Sequence, residues 1–369
     1  MEFSINKEKL LKPLQPVQAV ADKRNTMPIL SNLLVDCTED TLKLFATDLE
    51  VSIEKTLDVN TKKSGKTTIP ARKFFEIVKE LPEGDILISS DENNNIRIVS
   101  NSISFRLRGL PVDEFPSLPK FHESSFKSIS LKTVKQMIDK TIFSSATEEI
   151  QHTLSGIYIE IIEPESNTVR FVATDGHRLS LVDRELDFPS IEEKGIIVPR
   201  KGIIELRRII TSDDGDADVT IDNNQFVVKC QNMMLYMRLI DGVFPNYREV
   251  IPESNPKRLV LNREKFLESL RRASIVSIEK FRGVRFDISD NLMTLSSNNP
   301  DVGESEEKLQ VSYSHEGISI SFNSKYFIDV LTALETEELI LELNDEQSPA
   351  ILRDGVDDQY LAVIMPMRL

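Results

Sequence analysis

Three groups of residues in this 369-residue chain have types and spacings that could do chemistry. Ser64-Gly65-Lys66-Thr67 reads like the end of a phosphate-binding loop, in which backbone N–H groups and a lysine hold a nucleotide. That pattern needs a glycine at position 60 and a helix directly afterwards. The chain has Asn60 and then strand-like text, so nucleotide binding is set aside. Asp48 and Asp175 could be catalytic carboxylates or Mg²⁺ ligands. Aspartate at a strand end also hydrogen-bonds its own backbone to build a turn, and that reading is preferred. His177 beside Arg178 could pair a general base with an anion clamp, but no nucleophile or glycine-rich oxyanion loop accompanies them, so a binding surface suits them better. His122, His152, His177 and His315 show no ligand spacing with Cys37 and Cys230, which argues against zinc. No catalytic residue, metal or cofactor is therefore expected.

Both aspartates sit in the same text. Leu44-Phe45-Ala46-Thr47-Asp48-Leu49-Glu50 is echoed by Phe171-Val172-Ala173-Thr174-Asp175-Gly176-His177-Arg178-Leu179-Ser180-Leu181, with the aspartates 127 positions apart. A weaker echo, Leu292 to Asn299, ends 124 positions further on. A fixed period over a whole chain marks tandem copies of one unit. The length also exceeds one ordinary core. Three domains are expected, at 1–127, 128–256 and 257–369.

Each copy carries two segments of helical periodicity, predicted at 6–20 and 71–80, 131–142 and 200–210, and 262–274 and 324–334. Pro13 should fall early in the first helix or bend it. Strand-like text fills the rest, beginning with Ile29 to Asp36, Leu42 to Ala46 and Val51 to Val59. The proline-rich stretches Leu110 to Phe121 and Phe244 to Pro256 read as stiff, extended connectors. Two amphipathic helices on one face of an antiparallel sheet make a two-layer α+β domain.

Net charge is −15, which taken alone argues against a nucleic-acid partner. The average conceals a segregation. The six helical segments hold 18 Lys and Arg against 8 Asp and Glu, so they carry +10 and the remainder −25. A basic helical face with an acidic strand face suits a protein that holds a polyanion on one side, through phosphates rather than bases. No apolar run approaches the roughly 20 residues that span a bilayer. The N-terminus has no basic-then-apolar signal pattern. The two cysteines lie in different repeats and read as core thiols of a reducing, cytoplasmic compartment.

Four stretches, Ala173-Thr174-Asp175-Gly176-His177-Arg178-Leu179, Val198-Pro199-Arg200-Lys201-Gly202, Glu279-Lys280-Phe281-Arg282-Gly283-Val284-Arg285 and Met365-Pro366-Met367-Arg368-Leu369, together resemble the bacterial DNA polymerase III beta subunits, the sliding clamps. The resemblance runs end to end. It implies three tandem DNA-clamp domains and a ring-forming, head-to-tail homodimer, with helices lining the hole and sheets outside. The implied function is that of a non-catalytic processivity factor that encircles double-stranded DNA without reading its sequence, with no membrane partner. The replicative polymerase, the clamp loader and repair polymerases would bind through short peptide motifs.

The resemblance also implies site residues. The partner-peptide pocket would use Leu154, Thr174, Gly176, His177, Arg178, Leu179, Pro245, Val250, Val363, Met365, Pro366 and Met367. Where the family has a pocket-flanking glutamine, this chain has Glu148, a departure from the pattern. DNA contact falls to Arg24 and Lys201, with Arg72 and Lys12 as further candidates. The dimer seam would hold Phe105, Leu107, Ile275 and Val276, with Lys73 facing Glu304, Glu306 and Glu307. Two rivals from other classes are a Mg²⁺-dependent nucleic-acid enzyme using Asp48 or Asp175, and a peptide-binding scaffold that never touches DNA.

Overall fold

The computed structural model describes residues 1–21, 27–117, 126–147, 149–191, 195–210, 215–278 and 281–368. Six α-helices form: α1 (Lys7–Val20), α2 (Ala71–Glu80), α3 (Leu131–Thr141), α4 (Arg200–Ile209), α5 (Arg263–Ala273) and α6 (Ser324–Ala333). Each starts and stops within a residue or so of its predicted span.

An asparagine just ahead of the helix explains three of the starts. Asn6, Asn262 and Asn323 cap α1, α5 and α6, each side chain accepting a first-turn N–H at 3.0 Å. Pro13 and Pro16 both lie inside α1, neither at its start. Each lacks a backbone donor, so two intrahelical bonds cannot form. The helix persists because its inner stripe, Leu10, Leu14, Val17 and Val20, is fully buried.

The described chain forms two compact units, and each draws on more than one repeat. The first comprises Met1–Lys132, Asp187–Ser190 and Lys201–Leu239. It holds a five-stranded antiparallel sheet that ends on Ile103–Arg108. It also holds an eight-stranded sheet in which Val51–Asp58 of the first repeat pairs with Met233–Arg238 of the second, in the register Ile53↔Leu235. Cys37 and Cys230 are both buried in this unit.

The second unit comprises Thr133–Leu186, Ile191–Arg200 and Ile240–Leu369. Its eight-stranded sheet joins Arg178–Glu185 of the second repeat to Tyr360–Ile364 of the third, with Leu179 opposite Val363. A four-stranded sheet ends on Gly303–Gln310. In both units the apolar faces of the strands are buried, and the first- and third-repeat helix pairs α1 and α2, and α5 and α6, pack on them.

Two expectations need correction. Ile29 to Ser31 is a 3₁₀ turn (Pro28–Ser31) rather than strand. Pro28 fixes the turn's first φ, Leu30 N–H bonds the Met27 carbonyl at 3.2 Å, and both Ile29 and Leu30 are buried. Nor are the proline-rich stretches merely extended connectors. Phe115 packs edge-on against Phe45 in the first unit, and Phe244 and Tyr247 are buried in the second. The large aromatics outweigh the stiffness of the prolines between them.

Candidate functional site

The repeated aspartates build one turn twice. In Thr174–Arg178, Asp175 Oδ1 accepts the N–H groups of His177 (3.0 Å) and Arg178 (3.1 Å), while Thr174 Oγ1 donates to the Arg178 carbonyl (2.6 Å) and accepts from Gly176 N (3.1 Å). In Thr47–Val51, Asp48 Oδ1 accepts from Glu50 N (3.0 Å) and Val51 N (2.7 Å), and Thr47 Oγ1 donates to Val51 O (3.2 Å) and accepts from Leu49 N (3.0 Å). Both carboxylates therefore serve the backbone, as the preferred reading held. The middle residue has φ +85° at Gly176 and +80° at Leu49. Glycine takes that conformation freely, while leucine is strained in it. Asn299 repeats a reduced version, its Oδ1 accepting Asp301 N at 3.1 Å.

Arg178 follows the second turn and is almost fully buried. Its Nε donates to Asp175 Oδ2 (3.0 Å), Nη1 to Asp329 Oδ2 on α6 (2.6 Å), and Nη2 to the Phe143 carbonyl. The Tyr326 ring lies 4.6 Å from the guanidinium carbon. Arg178 thus ties the turn to α6 and is no free anion clamp.

From this turn the eight-stranded sheet of the second unit presents one face in rows. Thr174, Leu179, Val363 and Ile351 align across four strands, and Val172, Leu181 and Leu361 form the next row. One step further the register sets Glu160, Arg170 and Asp183 side by side. The stretch from Phe244 to Ile251 lies over this face. Phe244 stacks on Tyr158 with centroids 4.7 Å apart and planes 6° from parallel.

Between the stretch and the turn is a cavity of about 120 Å³ lined by Leu154, Thr174, Gly176, Arg178, Leu179, Pro245, Asn246, Tyr247, Val250, Val363 and Met365. The tail past the last strand closes one side: Met365 N–H bonds the His177 carbonyl (2.9 Å) and Met367 N–H the Ser321 carbonyl (2.8 Å). A concave, mostly apolar cavity with few polar groups is suited to apolar side chains of a ligand.

Nine of the twelve expected pocket residues line this cavity: Leu154, Thr174, Gly176, Arg178, Leu179, Pro245, Val250, Val363 and Met365. His177 is exposed and contributes its backbone carbonyl, while Pro366 and Met367 lie outside the lining. Asn246 and Tyr247 line it and were not anticipated. The spacing Phe244-Pro245-Asn246-Tyr247, two aromatics in a supposed connector, was the available signal. Glu148 lies outside the described residues.

Of the DNA candidates, Arg24 also lies outside them. Lys12 is exposed on α1. Arg72 is exposed and bonded to Glu76 at 2.8 Å. Lys201 opens α4, ion-paired with Asp48 while its side chain stays 41% exposed. Among the seam candidates, Phe105 and Leu107 lie on the outer strand Ile103–Arg108. Glu304, Glu306 and Glu307 lie on the outer strand Gly303–Gln310. Ile275 is 77% exposed and Val276 half-buried just after α5. Glu307 accepts from Arg272 Nη2 at 2.6 Å, and Lys73 from α2 donates to Glu76 at 2.9 Å.

The sequence matches the N-terminal, central and C-terminal domains of the DNA polymerase III beta subunit over residues 1–119, 128–246 and 248–368. The chain belongs to the DNA polymerase III beta subunit family. It is 35% identical to the beta sliding clamp of Pseudomonas aeruginosa and 37% identical to that of Escherichia coli K12, with all of both chains covered in each case. Its structure is similar to the sliding clamp of Bartonella birtlesii bound to griselimycin, with a TM-score of 0.95, 35% identity and full coverage of both chains. The chain is thus an α+β DNA sliding clamp with three clamp domains, acting in replication as a processivity factor for DNA polymerase.

Proposed function

We propose that two copies close head to tail into a ring around duplex DNA and tether partner proteins through the cavity under Phe244–Ile251. The domains would be 1–127, 128–256 and 257–369. The observation that carries the closure is the pattern of the sheets. Each eight-stranded sheet is made by pairing an outer strand of one repeat with an outer strand of the next. The five-stranded and four-stranded sheets each keep an outer strand, Ile103–Arg108 and Gly303–Gln310, with a strand partner on one side only among the described residues.

Along the first strand Ile103, Phe105 and Leu107 alternate with Ser104, Arg106 and Arg108, and Glu304 and Glu306 are exposed on the second. Joining these edges between copies would make a third large sheet with opposite charges across the seam. A head-to-tail interface that closes gives a ring.

Inside the ring, Lys12, Arg72, Lys201 and Arg24 would meet phosphates and read no bases, which permits sliding. The Asp48 carboxylate would hold Lys201 in place and temper its charge. The cavity would take short apolar motifs of the replicative polymerase, the clamp loader and repair polymerases, raising their effective concentration at the primer end. Griselimycin, bound by the Bartonella birtlesii clamp, is expected in the same cavity. The ring does no bond chemistry, since the turn aspartates are occupied by backbone donors; it needs no cofactor and works in the cytoplasm.

Retention on DNA tests the topology. Loaded onto nicked circular duplex, the protein should survive a salt wash and be lost once the circle is cut. Equal loss from circles and linear DNA would contradict encirclement.

A further inference from the structure

Beneath the pocket lies a partly buried polar chain that ligand contact does not explain. Glu160, 5% exposed, sits on the strand Gly156–Glu163. Its Oε1 accepts the Tyr247 hydroxyl and Arg248 Nη2 (2.6 Å), and its Oε2 accepts the Tyr158 hydroxyl at 3.5 Å. Arg170 Nη1 donates to the same Tyr247 hydroxyl at 3.1 Å, while Nε and Nη2 hold Asp183 at 2.6 Å each. Burial, reinforced by the bond to Glu160, pushes the Tyr247 hydroxyl up to about 12, so it keeps its proton and donates throughout the physiological range.

The register makes this chain a fixture of the sheet. Glu160, Arg170 and Asp183 are direct cross-strand neighbours, two residues along their strands from the apolar row of Val172 and Leu181. Tyr247 spans both zones. Its ring is buried with the apolar cluster and lines the cavity, and its hydroxyl rests on the polar row. The wall from Pro245 to Val250 ends in a 3₁₀ turn, Tyr247–Val250, and pairs with no strand among the described residues. Besides the apolar packing of Phe244, Tyr247 and Ile251, its side-chain tethers to the sheet among the described residues include the bonds of Tyr247 and Arg248.

We propose that Glu160 and Arg170 are positioning residues for ligand binding: through the Tyr247 hydroxyl they fix the distance between the Pro245–Val250 wall and the sheet, and so the width of the pocket. They touch no ligand. The inference rests on the cavity being the partner site.

Griselimycin is the probe, its affinity for the full-length protein measured by surface plasmon resonance. Tyr247→Phe removes one hydroxyl and leaves the ring that lines the cavity. It should weaken binding about five- to tenfold, chiefly through faster dissociation, as a loosened wall releases its ligand sooner. Glu160→Gln keeps an acceptor for the hydroxyl and should fall between Tyr247→Phe and the unaltered protein. Tyr313→Phe is the control for mere destabilisation. It removes the hydroxyl of a comparably buried tyrosine in the same unit, bonded to the Glu316 carbonyl at 2.6 Å, and should bind griselimycin normally whatever its melting temperature.

Deleting residues 365–369 separates the two readings. If the deletion abolishes binding while Tyr247→Phe binds as tightly as the unaltered protein, the positioning role is wrong and the pocket stands. If the deletion leaves affinity unchanged, the pocket reading falls and the inference with it. Equal weakening by Tyr313→Phe and Tyr247→Phe would also overturn the inference.

Discussion

Several charged side chains in the second unit are committed to one another. Arg178 serves Asp175, Asp329 and a carbonyl. Lys140 reaches from α3 to Asp354 (3.1 Å) and Asp357 (2.7 Å), and Arg184 holds Asp357 from its other side. Burial raises the Asp357 carboxyl, but the bonds and charges of Arg184 and Lys140 overcome it, so its net shift is downward. A depressed carboxyl stabilises the fold above its unfolded value, near 3.9, and the contribution is lost as pH falls through the folded value. Asp357→Asn should therefore cost about 1–3 kcal/mol at pH 7, and the gap to the unaltered protein should close below about pH 4. Urea unfolding at pH 7 and pH 3 checks both; a gap that does not narrow would place the effect in packing. The sequence revealed the turn aspartates because their text repeats, yet could not show that Arg178 and Lys201 are already paired. Asp329 lies 151 positions from Arg178 and Asp48 lies 153 from Lys201, distances over which periodicity carries no information.

Elements were read well where one face is buried and the other wet. The stripe Phe74 and Val78 of α2, or Phe266, Leu267 and Leu270 of α5, recurs every three to four residues and gives the helix directly. The reading failed where a segment is held by isolated anchors, as at Phe115, Phe244 and Tyr247, since one aromatic per few residues has no period. Helix α1 shows the opposite conflict, a helix kept by burial against two internal prolines. Pro13→Ala restores a donor four residues after the Lys9 carbonyl and should stabilise the protein by about 1–2 kcal/mol, less than the full penalty of an interior proline because the unfolded chain gains freedom too. A rise in melting temperature by calorimetry checks this; a fall would show that the first turns of α1 depend on the proline ring.

At the scale of the whole molecule, the repeats were legible and their fusion was not. Alternation identifies Val51–Asp58 and Met233–Arg238 as strands but cannot name them as partners. The same limit applies to the seam, where charge offers a test. Changing Arg106 and Arg108 to Glu should leave a species of 42.0 kDa in sedimentation, where the proposed dimer of the unaltered protein would give twice that. Adding Glu304→Lys and Glu306→Lys should restore the larger mass; failure to restore it would argue against pairing of these edges. The fusion of repeats also bears on how the protein is made. Val51–Asp58 emerges from the ribosome long before Met233–Arg238, about 175 residues later, which at roughly 5–20 residues per second is on the order of ten to thirty-five seconds. Throughout that interval one side of a β-ladder containing Ile53 is open to the same segment on a neighbouring nascent chain. The hazard of misassembly is therefore greatest during translation, and slowing synthesis between these two segments would lengthen it.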